Sequence, residues 1–538
     1  MTRRILLSLL MAVGCLAASA QDTRHADAGR AWWQHVKVLA DDNMEGRDTG
    51  SHGYDRAAAY VVSRLKQSGC VPAGESGYYQ TVPLVQRSLD EAASSLALVR
   101  DGSTEPIKLG EQAFLNARVE LAPTVDAPLA FVGYGIKVPE VGYDDLSGQD
   151  LRGKVLVYLA GAPAEIPPDL ASHYQSAGER WKAMKAAGAI GTIAIPNPAS
   201  MDVPWERQKL RRLEPSMALE DKALSETEGW QLSVTLNPAF ADFIFKGTAH
   251  NPEELFALVK RKARLPKIAL GLMVQAKTRL NHAKVKSANI VAKLPGSDPR
   301  LKNEYIVLSA HLDHLGVGQP IRGDGIYNGA MDNGSGAAML LAIAEDFHRR
   351  KVRPRRSVIF LFVTAEEKGL LGSRYFVKRP TIPRSSIAAN VNIDNFQPIY
   401  PSSLFVVRGM NESDLGDWAR AAVEKAGAEA QLDPKPERNA FIRSDQYSFI
   451  REGIPAVVLV NGFRLGTPEE KLFNDWLRER YHAPSDDLAQ PVDLETAGKY
   501  QAIMENLILR AADAEQRPAW KKESFFRRFA VGAASRRR

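Results

Sequence analysis

Five short segments of the 538-residue chain carry histidine or carboxylate side chains of the types that bind divalent metal ions. Most of them follow apolar runs that predict β-strands, and the last forms a turn near the C-terminus. The segments are 309–316, 328–336, 364–369, 394–395 and 481–487. Carboxylates crowded together repel one another and are partly protonated unless a cation lies between them. If these segments converge, they therefore predict a metal site.

The ligand types favour zinc. Imidazole and carboxylate oxygen suit this metal, and after removal of the leader described below Cys70 is the only cysteine, so no thiolate cluster can form. Two metal ions about 3.5–4 Å apart can share one bridging carboxylate and one bridging water. Our hypothesis is two zinc ions per chain, with Asp332 as the bridge, His311 and Asp394 on one metal, and Glu367 and His482 on the other.

Two further acids lie beside these ligands. Asp313 follows His311 by two residues, and we expect its carboxylate to accept the second ring N–H of that histidine and so fix its tautomer. Glu366 directly precedes Glu367 and is placed to act as the general base that takes a proton from the attacking water. His314 is nearby as well, and its favoured interpretation is an exposed loop histidine.

The strands that must position these residues are apolar on both faces. Such runs occur at 305–308, 357–363 and 391–393, and they alternate with helical stretches such as 337–350. This pattern indicates an α/β fold with a mostly parallel central sheet and helices on both faces. In such folds ligands bind at the carboxyl ends of the strands, which is where the candidate residues occur.

Residues 120–275 have a different character. They are β-rich and carry no cluster of metal-type ligands. Because a single core rarely exceeds about 250–300 residues, more than one domain is expected. We therefore predict that this module is inserted into a catalytic domain made of residues 21–119 and 276–516, followed by a tail at 517–538.

The N-terminus predicts export. Basic residues, an apolar run over 5–16 and small residues up to Ala20 have the order of a secretory signal peptide, assigned to 1–20. This predicts a periplasmic or secreted protein. Lipoprotein anchoring at Cys15 is the less favoured alternative, because Ala12 stands where a larger aliphatic residue is usual.

The net charge of +7 is confined to the C-terminal tail, where residues 517–538 carry eight basic residues and one acidic residue. The rest of the chain is neutral overall, so no nucleic-acid partner is predicted. Aromatic residues in the tail could support weak contact with an anionic membrane surface. A frayed, solvated C-terminus is the favoured alternative.

Taken in order, five motifs resemble those of the bacterial co-catalytic zinc aminopeptidases, metallopeptidase family twenty-eight of clan MH, which is related to the transferrin receptor and glutamate carboxypeptidase. The motifs are His311-Leu-Asp313, Asp332-Asn-Gly-Ser-Gly336, Ala365-Glu-Glu-Lys-Gly369, Asn392-Ile-Asp394 and Tyr481-His482. The module at 120–275 is similar to the protease-associated domain that some members carry.

The resemblance implies a fold of the zinc-exopeptidase type and removal of N-terminal amino acids from peptides. It also implies that the five ligands and the base Glu366 have the roles assigned above. Segment 443–449 resembles the substrate loop of that family, in which Tyr447 either polarises the scissile carbonyl or is a core residue. The alternatives are a carboxypeptidase, a dipeptidase or a glutaminyl cyclase on the same site, or a non-catalytic receptor-like protein. The oligomeric state is not indicated.

Overall fold

A computed structural model describes residues 24–530, so the predicted signal peptide and the last residues of the tail lie outside the described residues. The chain divides into two compact units. Unit 1 consists of the described residues within Met1–Thr81, Ser287–Pro434 and Ser444–Arg538, and unit 2 of Val82–Lys286 and Lys435–Arg443.

Unit 1 is built on a mixed sheet whose centre is parallel. Seven neighbouring strands of this sheet lie in the order Leu280–Leu294, Ser357–Val363, Tyr305–His311, Ile387–Asn392, Ala456–Asn461, Leu404–Arg408 and Glu429–Gln431, and Val71–Pro72 pairs with the first of them. Strand Tyr305–His311 pairs in parallel with both of its neighbours. Antiparallel pairs occur toward the sides of the sheet, where Ile290–Leu294 pairs with Val358–Phe362 and Leu404–Arg408 with Ala456–Asn461. The predicted α/β fold is confirmed, and the sheet is parallel at its centre and mixed as a whole.

Helices cover both faces of this sheet because the central strands are apolar on both sides. In strand Tyr305–His311, Leu308 packs in the core that includes helix Ser335–Arg349. The adjacent Val307 packs in the opposite core with helix Leu371–Lys378. Successive side chains of a strand point to opposite faces, so a run without alternation requires cover on both.

Helix bounds in unit 1 follow local capping signals. Ser51 begins one helix by accepting a hydrogen bond from the N–H of Tyr54, and Asp493 begins another by accepting from Thr496. The helices are 24–39, Asp42–Arg47 (3-10), His52–Gln67, Ser335–Arg349, Leu371–Lys378, Asp414–Lys425, Gln446–Ile450, Pro468–Glu479 and Leu494–Asp513. Within residues 24–530, no helix has the length and apolarity needed to span a membrane.

Unit 2 has its own sheet. The strands lie in the order Ser103–Ile107, Ser95–Arg100, Leu272–Lys277, Thr124–Phe131, Val155–Leu159, Gly191–Ile195, Leu232–Leu236 and Ala113–Leu115. Its longer helices are Pro168–Gln175, Ala177–Ala186, Trp205–Arg211 and Pro252–Lys260. Unit 2 is thus β-rich with helices.

The bounds of unit 2 differ from the predicted insertion at 120–275 and from the matching catalytic segments. Strand Ser95–Arg100 pairs antiparallel with Leu272–Lys277, so this strand, which precedes residue 120, belongs to unit 2. Residues 435–443 also belong to it, because both Arg438 and Arg443 form ion pairs with Asp202. These partners are distant in sequence, so the local pattern did not reveal them.

The C-terminal tail packs onto unit 1 as far as residue 530, so the prediction of a frayed end is wrong for 517–530. Phe526 is fully buried, and the indole N–H of Trp520 donates to the carbonyl of Gly453 at 2.9 Å. The ammonium of Lys521 donates to Asp417, also at 2.9 Å. Two aromatic residues of the tail, Trp520 and Phe526, are thus buried in unit 1.

Candidate metal centre

The predicted ligands lie at the carboxyl ends of adjacent parallel strands. His311 is the last residue of its strand and pairs with Val363, which ends the neighbouring strand just before Glu366 and Glu367. Asp394 follows the end of strand Ile387–Asn392 on the other side. Parallel strands end at the same edge of a sheet, so these side chains lie close together there.

One group of three ligands is centred on His311. Its Nε2 atom lies 3.2 Å from Oδ1 of Asp332 and 3.2 Å from Oδ1 of Asp394. All three side chains are buried, and their ligand atoms lie within 4.8 Å of one another. These are the residues predicted for the first metal and the bridge.

A second group surrounds Glu367. Nε2 of His482 lies 3.1 Å from Oδ2 of Asp332 and 3.4 Å from Oε1 of Glu367. Asp332 therefore presents one oxygen to each group. The structure brings all five predicted ligands together.

His314 belongs to this second group, and its interpretation as an exposed loop residue is wrong. The side chain is fully buried, and its Nδ1 atom lies 2.9 Å from Oε1 of Glu367. Its ring meets that of His482 edge to face, with centroids 5.9 Å apart and an angle of 72° between the ring planes. Sequence spacing placed His314 beside the site but gave no sign that its ring is directed inward.

Asp313 makes a different contact from the one expected. Nδ1 of His311 meets the main-chain carbonyl of Asp313 at 2.9 Å, not its carboxylate. The carboxylate instead accepts hydrogen bonds from the N–H groups of Glu366 at 3.1 Å and Glu367 at 3.3 Å, and from the hydroxyl of Thr49 at 3.1 Å. Asp313 therefore positions the loop that carries the predicted base and a predicted ligand.

Asp486 supports the bridging residue and was not singled out from the sequence. Its buried carboxylate accepts hydrogen bonds from the N–H groups of Met331 and Asp332, each at 3.0 Å to one of its oxygens, and from the side chain of Gln490 at 2.7 Å. It lies in the segment 481–487 that drew attention to His482, so proximity to a ligand was the available signal.

Arg47 was also missed. Its guanidinium is fully buried and donates to the main-chain carbonyls of Leu312, Asn328 and Gly329. Burial lowers the pKa of Arg47 to about 10, against the opposing effect of the carboxylates of Asp486 and other site residues. An arginine in a loop ordinarily predicts exposure, so no local signal could have identified this one.

Burial and neighbouring charges shift the pKa values of the two adjacent glutamates in opposite directions. Burial raises the pKa of Glu366 well above its usual range, and the negative charges of Asp394 and Asp445 act in the same direction. For Glu367 burial acts upward too, but the imidazoles of His482 and His314 outweigh it and lower its pKa to about 2. A bound cation would favour the ionised form of both.

The segment resembling a substrate loop contributes a second buried acid. Both carboxylate oxygens of Asp445 are buried, and burial together with Asp394 raises its pKa to about 7. Tyr447 is also buried, in helix Gln446–Ile450, with the guanidinium of Arg451 5.7 Å from its ring centroid. This environment favours the core interpretation of Tyr447.

The arrangement fits a zinc pair. In a tetrahedral zinc site with bonds near 2.0–2.1 Å, ligand atoms are separated by about 3.3 Å. The histidine–carboxylate distances of 3.1–3.4 Å around Asp332 match this spacing. Oδ2 of Asp332 and both ring nitrogens of His314 are buried without a hydrogen bond in the described structure, as expected for atoms that need a cation.

Residues 289–508 match the sequence profile of peptidase family M28. All five predicted ligands and Glu366 lie inside this range. Over 214 residues the chain is 30% identical to the "Probable leucine aminopeptidase 2" of Aspergillus fumigatus, covering 37% of this chain and 39% of that protein. It is 29% identical over 187 residues to "Aminopeptidase YwaD" of Bacillus subtilis, covering 32% and 38%. The matches thus span about two fifths of the length of these curated relatives.

A solved structure extends the similarity of fold to most of the chain. The aminopeptidase from Aneurinibacillus sp. strain AM-1 superposes with a TM-score of 0.55 at 17% sequence identity, covering 92% of this chain and 97% of that one. At this identity the comparison bears on the fold, which is shared across both units.

Proposed function

Because residues 289–508 belong to peptidase family M28, we propose that the protein is a zinc-dependent aminopeptidase that releases N-terminal amino acids from peptides. The observation that carries the proposal is the position of Asp332, whose two oxygens face His311 and His482 in two adjoining groups of buried ligands. Two zinc ions per chain would occupy these groups. When bound, the zinc pair supplies Lewis-acid polarisation of the scissile carbonyl and acidifies the attacking water.

Glu366 moves the proton in this proposal. Its carboxylate takes the proton from the attacking water and delivers it to the leaving amine. The adjacent Glu367 is a ligand, and Asp313 holds the main-chain N–H groups of both glutamates, so the position of the base is fixed relative to the metal centre.

The charge of the site favours a substrate ammonium over a substrate carboxylate. Besides the ligands, the buried acids Glu366 and Asp445 lie in or beside the cavity. The guanidinium of Arg47, beneath the site, donates to main-chain carbonyls and is not directed at a substrate. A bound cation favours the ionised forms of these two acids, which then attract the free N-terminus of a peptide, whereas a carboxypeptidase needs a cation for the C-terminal carboxylate. The relatives named as aminopeptidases point the same way.

A peptide-library digest with mass-spectrometric readout, run with and without a chelator, tests the proposal. We expect sequential shortening from the N-terminus that stops when zinc is removed. Shortening from the C-terminus would show a carboxypeptidase, cleavage of dipeptides alone a dipeptidase, and loss of ammonia from N-terminal glutamine a cyclase. Zinc binding without any reaction would show a receptor-like protein.

We further propose that unit 2 is a protease-associated domain. Its support is the resemblance of this β-rich module and the fact that it carries none of the predicted ligands. If it limits substrate access or binds peptides, replacing 82–286 by a short linker should alter the preference for peptide length. An unchanged ratio of tripeptide to decapeptide hydrolysis would contradict that role.

Export to the periplasm or medium is proposed from the leader at 1–20. The mature protein should begin at Gln21 on N-terminal sequencing, whereas a lipidated Cys15 would show the lipoprotein alternative. Weak contact with an anionic membrane would have to use exposed basic residues such as Lys522 and Arg527, since Phe526 is buried. Co-sedimentation with phosphatidylglycerol vesicles tests it.

A further inference from the structure

We infer that His314 is a third imidazole ligand of the metal centre, on the metal held by Glu367 and His482. This inference rests on the proposed two-zinc function and extends it, because the five-ligand assignment leaves His314 out. It changes how the second metal is held: four protein side chains, Asp332, Glu367, His314 and His482, would surround it, and zinc accepts a fifth ligand during reaction.

The first step is the short distance between the His314 ring and the carboxylate of Glu367. Nδ1 of His314 lies 2.9 Å from Oε1 of Glu367. Ligand atoms of His314, Asp332 and Glu367 all lie within 4.8 Å of one another, and all three side chains are buried. His314 therefore approaches Glu367 more closely than His482 does, whose Nε2 is 3.4 Å from the same Glu367 oxygen.

The second step concerns the two nitrogens of the His314 ring. Both are buried without a hydrogen bond in the described structure, although Nδ1 lies 2.9 Å from Oε1 of Glu367. A buried core histidine ordinarily has at least one nitrogen satisfied by a donor or acceptor. An imidazole nitrogen that lies close to two carboxylates is suited to bind a metal ion, since a cation between them satisfies all three groups.

The third step is that the ring is held in place. Gly329 has a left-handed backbone with φ of 58°, and a Cβ atom there would lie 2.5 Å from Cγ and Cδ2 of His314. The Gly329 carbonyl in turn accepts a hydrogen bond from Arg47. The imidazole is thus packed closely against a main chain that is itself hydrogen-bonded, which pre-orders a ligand.

The two histidines of the second site differ in exposure. The side chain of His314 is fully buried, whereas that of His482 is 17% exposed, and His482 lies in the turn after helix Pro468–Glu479. His314 therefore holds the metal from the protein interior and His482 from the solvent side. It follows that loss of His482 should weaken the second zinc without removing it.

Zinc K-edge X-ray absorption of the fully loaded protein tests the ligand count directly. Three histidines on two zinc ions give about 1.5 imidazoles per zinc, whereas two histidines give about 1.0. We expect 1.5 in the wild type and 1.0 in His314→Gln, with the exposed His52→Ala as a matched control that stays at 1.5. A value of 1.0 in the wild type would overturn the inference.

Calorimetric zinc titration supplies the second readout. His482→Ala should still bind two zinc ions, and His314→Gln should bind the second at least about 100-fold more weakly, more than loss of an outer-shell contact costs. In the double variant the second zinc should be lost. Circular dichroism identifies any variant that fails to fold, and His314→Asn then replaces His314→Gln. If His482→Ala alone abolishes the second zinc, the inference is wrong.

The two proposals fail separately. A wild type that binds two zinc ions through three imidazoles but cleaves no peptide would refute the aminopeptidase and leave the ligand assignment standing. A wild type that shortens peptides from the N-terminus with two imidazoles would refute the ligand assignment alone.

Discussion

The contact made by Asp313 gives a prediction that separates two roles for this residue. In Asp313→Asn, an amide NH₂ replaces one carboxylate oxygen and cannot accept a hydrogen bond. The N–H of Glu366 can keep its acceptor, but the N–H of Glu367 and the hydroxyl of Thr49 then face a donor. The loop that carries the proposed base loses at least one hydrogen bond to a charged acceptor.

A hydrogen bond to a charged group contributes about 1.5–3 kcal/mol. With about 1.36 kcal/mol for each factor of ten, and with the whole loss expressed in the transition state, kcat/KM should fall roughly 13- to 160-fold. Thr49→Val removes one hydrogen bond to the same carboxylate oxygen but leaves that oxygen as an acceptor for the N–H of Glu367, so its effect on kcat/KM should be smaller than that of Asp313→Asn. The ratio between the variants tests the assigned hydrogen bonds.

The assay is hydrolysis of chromogenic amino-acid anilides together with zinc titration of each variant. We expect Asp313→Asn to lose activity while the zinc held by His311 is retained, because the His311 ring is oriented by the main-chain carbonyl of residue 313, which the substitution keeps. The reasoning is refuted if activity stays within threefold of the wild type. It is also refuted if the main effect is weaker zinc binding at the His311 site, as a carboxylate–imidazole contact would produce.

Three other predictions concern the base, unit 2 and the tail. Glu366→Gln should retain two zinc ions by plasma emission but lose about 10²- to 10⁴-fold in kcat, and full turnover would show that Glu366 is not the base. Burial raises the pKa of Asp145 to about 6 from a usual value of 3.8, so the folded protein favours the neutral form more than the unfolded chain does. The free energy of unfolding should therefore fall by about 3 kcal/mol as the pH rises from 4 through 6. Asp145→Asn should flatten that pH dependence in urea titrations, and a wild-type curve that is already flat would contradict the assignment. Trp520→Ala should lower stability by about 3–5 kcal/mol, because it empties a buried site and removes the hydrogen bond to Gly453; an unchanged urea midpoint would mean that the tail frays.

The sequence alone determined the α/β sheet and the ligand types. Strand Tyr305–His311 and its parallel neighbours are continuous apolar runs, and a strand of that kind must be covered on both faces. The residue following such a strand lies at the same edge as its neighbours, so His311, Glu367 and Asp394 could be grouped without coordinates. These inferences depend on local periodicity and chain order, which a sequence contains in full.

The tertiary structure decided the features that depend on contacts between residues distant in the chain. It buries His314 against Gly329, turns the Asp313 carboxylate toward Glu366 in place of His311, and draws Arg47 beneath the site. It also extends unit 2 to Val82 and seats the tail on unit 1. Burial and hydrogen-bond direction depend on which side chains are in contact. Residue type and spacing do not predict those contacts when the partners are hundreds of positions apart in the chain.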